Sequence, residues 1–119
     1  MRFLPLLVIF TAACDLTESA DTSGDDTSAA ALDCDEAPVV TWASWGESFF
    51  ETWCQSCHSV ETPQRSGAPE AINFDLPQEV TDQSAAIRRS VLDNETMPKG
   101  GGLGETERVL LDVLLQCGM

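Results

Sequence analysis

The chain has 119 residues, 20 of them acidic and 6 basic, giving a formal net charge of −14 and a pI near 4.1. That balance excludes nucleic acid as a natural partner, because phosphate binding needs clustered Lys and Arg. The length fits one small domain, and a core of that size often needs a covalent staple or a bound group.

Residues 1–13 read as a secretory signal. Arg2 gives the positive start and Phe3 to Ala13 are mostly apolar. No apolar run reaches the roughly 18 residues that a membrane-spanning helix needs. The segment ends in Thr11-Ala12-Ala13-Cys14, small residues directly before a cysteine. This resembles the signal of bacterial lipoproteins, although Thr11 stands where Leu or Val is commoner. The resemblance implies cleavage before Cys14 and lipidation of Cys14. The protein would then be anchored by lipid to a membrane of the bacterial cell envelope, on the periplasmic side. An ordinary secretory signal with Cys14 incidental is the alternative. Residues 14–36 read as the lipidated cysteine and an acidic disordered tether. The stretch holds Asp15, Glu18, Asp21, Asp25, Asp26, Asp33, Asp35 and Glu36 with no Lys or Arg. Such a stretch has too little apolar surface to fold and repels itself.

Residues 37–119 are the expected domain. Trp42, Trp45, Phe49, Phe50 and Trp53 recur at helical spacing after Thr41, which can cap the helix. The periodicity leads straight into Cys54-Gln55-Ser56-Cys57-His58. Cys-x-x-Cys-His is the attachment signature of c-type haem. Two cysteines three apart reach the two vinyl groups of one porphyrin. The residue that follows lies beneath the iron and offers its imidazole. His58 is the one histidine in the chain. A zinc site would need a second pair of ligands at similar spacing, and none is present. A thioredoxin-like redox site would follow a buried strand rather than a helix. A chance match is the remaining rival.

Residues 59–80, with Pro63, Gly67, Pro69 and Pro77, read mainly as loop with at most a short helix. A second helix is predicted near 81–92, capped by Thr81 or Asp82, with Ala85, Ile87, Val91 and Leu92 as its apolar surface. Met97 follows in a loop, since Pro98 disfavours helix at Met97 and Gly100, Gly101 and Gly102 allow tight turns. A thioether placed there is free to reach the iron as its second axial ligand, and a His/Met pair raises the potential and suits electron transfer. The other reading is a flexible core filler. Met119 is terminal, and Lys99 is a weaker candidate ligand. The last helix starts at Gly104 or Thr106 and ends at Gly118, with Val109, Leu110, Val113, Leu114 and Cys117 in a stripe. No strand pattern is evident. The fold class expected is therefore all-α, with three to four helices around one covalently bound haem.

Cys34 and Cys117 remain once Cys14 and the motif are set aside. In an oxidising compartment such a pair reads as a disulfide, and two unrelated thiols are the alternative.

Residues 41–118 resemble a class I cytochrome c of the small mono-haem bacterial form. Besides the haem signature, the resemblance rests on Gly46 and Phe50, which in that family pack the first helix against the last, with Leu110 and Leu114 as candidate partners. Pro69 resembles the proline whose neighbourhood offers a carbonyl to the other histidine nitrogen, and Met97-Pro98 resembles the axial methionine loop. The short interval from His58 to Met97 departs from the family and implies abbreviated loops. The resemblance implies one haem c bound through Cys54, Cys57, His58 and Met97, with electron transfer as the function and no catalysed reaction. It also implies transient redox partners for an acidic surface, and a monomer. A haem-based sensor or catalyst with a displaceable sixth ligand is the alternative, and an acidic lipoprotein domain without haem is a third.

Overall fold

A computed structural model describes residues 31–119. The signal segment 1–13, Cys14 and residues 15–30 of the tether lie outside the described residues. The described residues form four helices joined by loops, with no strand among them, and the class is all-α.

Helix α1 begins as a π-helical turn over Trp42–Gly46 and continues as an α-helix over Glu47–Trp53. Its start is fixed by Thr41 and Ser44. The Ser44 N–H donates to the Thr41 hydroxyl at 3.2 Å, and the Thr41 N–H donates to the Ser44 hydroxyl at 3.0 Å. This reciprocal pair satisfies two donors that a helix start otherwise leaves free. Gly46 is buried where α1 crosses the last helix. A Cβ there would stand 3.0 Å from Leu114 Cδ2 and 3.2 Å from Trp42 Cε3, so the missing side chain permits the approach. Leu114 is therefore the partner at the crossing, while Leu110 is half-buried at the edge of the core.

Helix α2 spans Pro77–Asp82, and α3 runs over Ser84–Ile87 before widening into a π-helical stretch over Arg88–Asp93. The helix expected near 81–92 thus begins earlier and is broken in two. Neither Thr81 nor Asp82 caps it. Pro77 sits in the first turn with its φ already fixed, and the Glu79 carboxylate accepts from the N–H groups of Asp75 and Leu76 at 2.9 and 3.0 Å. The Thr81 hydroxyl instead donates back to the Pro77 carbonyl at 2.9 Å, inside α2. The break falls at Gln83, whose φ of −104° and ψ of 7° leave the helical range. Ile87 and Val91 are buried as expected, whereas Ala85 faces solvent.

Helix α4, Glu105–Cys117, lies between Gly104 and Gly118. Glu105 and Glu107 in its first turn complement the positive end of the helix dipole. Its buried residues are Leu111, Val113 and Leu114, and Val109 is exposed. Five residues of helix turn through about 500°, which puts Val109 some 140° around from Leu114 and off the stripe assigned to it.

The core gathers Phe49 and Phe50 of α1, Phe74 of the long loop, Val80, Ile87 and Val91, and the inner face of α4. Arg88 and Asp112 form an ion pair from α3 to α4. Arg108 reaches the Val91 carbonyl at 2.8 Å and Glu95 at 3.3 Å. Cys34 and Cys117 are joined by a disulfide with Cα atoms 5.6 Å apart, 83 residues apart in sequence. A loop of that length removes about 4–5 kcal/mol of chain entropy from the unfolded state in the simplest model. Beside it the Leu32 N–H donates to Gln116 Oε1 at 3.1 Å. Among the described residues, contacts with the helical domain therefore reach back to Leu32, inside the stretch read as tether.

Candidate functional site

Helix α1 ends by turning. Cys54 N–H still bonds the Phe50 carbonyl at 2.9 Å. The Cys54 carbonyl then takes the N–H groups of both Cys57 and His58, at 3.1 and 2.9 Å. This tight turn presents Cys54, Cys57 and His58 to one cavity of about 390 Å³. A volume of that order suits a small-molecule ligand. The turn rests on Phe50, Phe49 and Trp53, which also line the cavity.

Burial pushes the Cys54 thiol up to about 12, because a thiolate would lose its water there. At neutral pH it is a thiol. That is the reverse of a redox-active Cys-x-x-Cys, whose nucleophile needs a lowered pKa. Among the described residues, no three His, Cys, Asp or Glu side chains converge as they would to hold an ion.

His58 is oriented from behind. Its Nδ1 lies 3.1 Å from the Ile72 carbonyl, which only accepts, so Nδ1 carries a proton and, in the neutral ring, the lone pair is the one on Nε2. A ligating imidazole is commonly fixed by such a carbonyl. The carbonyl comes from Ile72, three residues past Pro69, because the chain turns between them: the Ile72 N–H donates to the Pro69 carbonyl at 3.1 Å. The ring also packs on Phe74, with centroids 5.0 Å apart, and Phe74 packs on Phe50 at 5.5 Å. The His58 carbonyl accepts the Phe74 N–H at 2.9 Å, and Gln55 Nε2 donates to the Phe74 carbonyl at 2.9 Å. Core and site thus share Phe49, Phe50 and Phe74.

The loop from Ser59 to Ile72 is closed by Arg65. Its guanidinium donates to the carbonyls of Ser59 at 2.6 Å, Pro69 at 2.8 Å, Ile72 at 2.7 Å and Ala68 at 3.4 Å.

Met97 lines the same cavity from the other side of the chain, half-buried against the core. Its loop is pinned to the widened end of α3. The Ser90 carbonyl accepts the N–H groups of Thr96 and Met97 at 2.8 and 3.1 Å, and the Thr96 hydroxyl at 3.2 Å. The Met97–Pro98 bond is cis. Further on, Gly102 has a φ of 103° and lies against Trp53, where a Cβ would meet the indole at 3.3 Å. Only glycine suits both demands.

Four of the expected site residues, Cys54, Cys57, His58 and Met97, therefore line one cavity. Lys99 lines it too, with its ammonium on the Ser66 carbonyl at 2.8 Å. Cys34, Cys117 and Met119 do not line it, and Cys14 lies outside the described residues. Sequence reasoning missed Arg65, Ile72, Phe74 and Ser90. Of these only Phe74 left a signal, as the one aromatic residue beyond Cys14 outside α1.

The donor set suits a haem. Two cysteines, an imidazole with a free Nε2, and a thioether face a cavity walled by aromatic and aliphatic side chains. Arg65 and Lys99 bring positive charge to that wall and, among the described residues, no carboxylate lines it, which suits a macrocycle with acidic substituents.

No protein-family model, no curated protein and no solved structure matches this chain.

Proposed function

We propose that the domain carries one covalently bound haem c and serves as a membrane-tethered electron carrier of the small mono-haem cytochrome c type. The observation that carries this reading is that Cys54, Cys57, His58 and Met97 line a single cavity. Cys54 and Cys57 would attach the haem covalently through their sulfurs, and His58 Nε2 and Met97 Sδ would ligate its iron. A haem held in this way supplies a one-electron ferrous/ferric couple. The chain's own part is to bind, orient and shield. The Ile72 carbonyl holds the His58 tautomer, and Phe74 and Phe50 pack behind the ring. Trp53 and Leu103 wall the cavity, and Gly102 lies against Trp53. With both His58 and Met97 on the iron, no position would be left open for a substrate. It exchanges electrons with transient protein partners, whose docking faces are basic or mixed in charge to match an acidic carrier. Cys14, where lipidated, anchors a monomer to a membrane in the cell envelope and raises its effective concentration near membrane-bound donors and acceptors.

The test is the optical spectrum of the chain exported from a host with haem-attachment machinery, oxidised and reduced, beside Met97→Ala. Sharp reduced bands and a weak far-red sulfur-to-iron band, lost in Met97→Ala, are expected. A high-spin or ligand-responsive spectrum would favour a sensor or catalyst. Absence of covalent haem would sink both.

A further inference from the structure

We propose that Arg65 is a positioning residue that sets how strongly His58 donates electrons to the iron, and so holds the reduction potential up. The inference rests on His58 being an axial ligand as proposed above. The Ile72 carbonyl is shared. It accepts from His58 Nδ1 at 3.1 Å and from Arg65 Nη2 at 2.7 Å. The charged donor is the nearer of the two, and hydrogen bonds from ionised donors are the stronger kind. It draws the oxygen's electron density away from the imidazole N–H. A carbonyl polarised in this way pulls less on the Nδ1 proton, so the ring keeps less anionic character and stabilises ferric iron less. Second-shell partners tune a ligand through the same lever.

A second effect has the same sign. Arg65 is only part-exposed, and among the described residues no carboxylate lies within ion-pair distance of it. Its partners are four backbone carbonyls, and its charge lies in the cavity wall uncompensated. A cation beside the iron disfavours the ferric state, which carries one more positive charge. The fork also fixes where the Ile72 carbonyl stands, since the same guanidinium grips Pro69 and Ser59. A lysine would keep the charge but lose the planar fork.

The experiment measures the midpoint potential of the full chain with covalent haem, for the parent, Arg65→Gln, Arg65→Lys and Arg89→Gln. Arg89 is exposed and does not line the cavity, so its variant matches the change in net charge alone. Arg65→Gln is expected to shift the ferric/ferrous equilibrium about tenfold toward ferric, a fall of about 59 mV for one electron. Arg65→Lys should fall less, and Arg89→Gln should stay with the parent. The reduced bands and the far-red band should remain in all four. The proposal is overturned if both Arg65 variants stay within twofold of the parent, or if Arg89→Gln falls as far as Arg65→Gln. It is also overturned if both Arg65 variants lose the far-red band, because Arg65 would then only hold the loop's shape. A parent without covalent haem would instead sink the electron-carrier reading, and that result is read before any variant is made.

Discussion

The α1–α4 side of the domain and the Ser59–Phe74 loop are held by different forces. Where α1 crosses α4, apolar side chains meet with nothing between them: Gly46 against Leu114, and Phe50 packed on Trp42 and Phe49. Phe50, Leu111 and Leu114 are fully buried there. Apart from Phe74 and Ile72, the loop buries little apolar surface. It is held by directed hydrogen bonds onto backbone carbonyls, from Arg65, Gln55 and the Thr62 hydroxyl, the last on the Gln55 carbonyl at 2.7 Å. Apolar packing supplies stability without direction, whereas a hydrogen bond contributes little net stability but fixes geometry. The helical side should therefore govern whether the domain folds, and the loop should govern how the site behaves.

The largest expected effect follows from Phe50. Truncating a fully buried Phe removes its transfer energy and leaves a cavity, so Phe50→Ala should cost about 3–5 kcal/mol in chemical denaturation. In protein that still folds, the far-red band should be retained. The disulfide is next. The paired substitution Cys34→Ser with Cys117→Ser should lower stability by about 2–5 kcal/mol, with no change in spectrum or midpoint potential, because neither cysteine lines the cavity. A change in potential on removing the disulfide would show that the helical side tunes the site after all, and the division between the two sides would fail.

The same contrast decides what the sequence could reveal. α1 and α4 were legible to within a residue, because periodicity and terminal residues record packing that lies close along the chain: Thr41 at one start, Gly104 and Gly118 around the other. The four cavity residues were legible because three sit in one motif and the fourth lies between a proline and a helix. α2 was not legible. It depends on the Glu79 carboxylate capping the N–H groups of Asp75 and Leu76, a signal that competes with equally good caps at Thr81 and Asp82. Arg65 was not legible at all. Its partners are main-chain carbonyls at Ser59, Ala68, Pro69 and Ile72, and a carbonyl carries no side-chain identity for a pattern to register. The split inside the second helical segment likewise depends on one pair of backbone angles at Gln83.

The smallest expected effect probes the Met97 loop. The Ser90 carbonyl holds that loop through three donors, of which the Thr96 and Met97 N–H groups belong to the main chain and one is the Thr96 hydroxyl. Thr96→Val keeps the β-branched shape and removes only the hydroxyl, at an exposed position. The carbonyl keeps two partners, so no buried group is left unsatisfied and the cost should stay below about 1 kcal/mol. The far-red band of the oxidised protein should be unchanged in position and strength. Its loss in Thr96→Val would mean that a single hydroxyl outweighs two main-chain bonds in placing the thioether, and Met97 would then depend on side-chain placement as closely as His58 depends on Arg65.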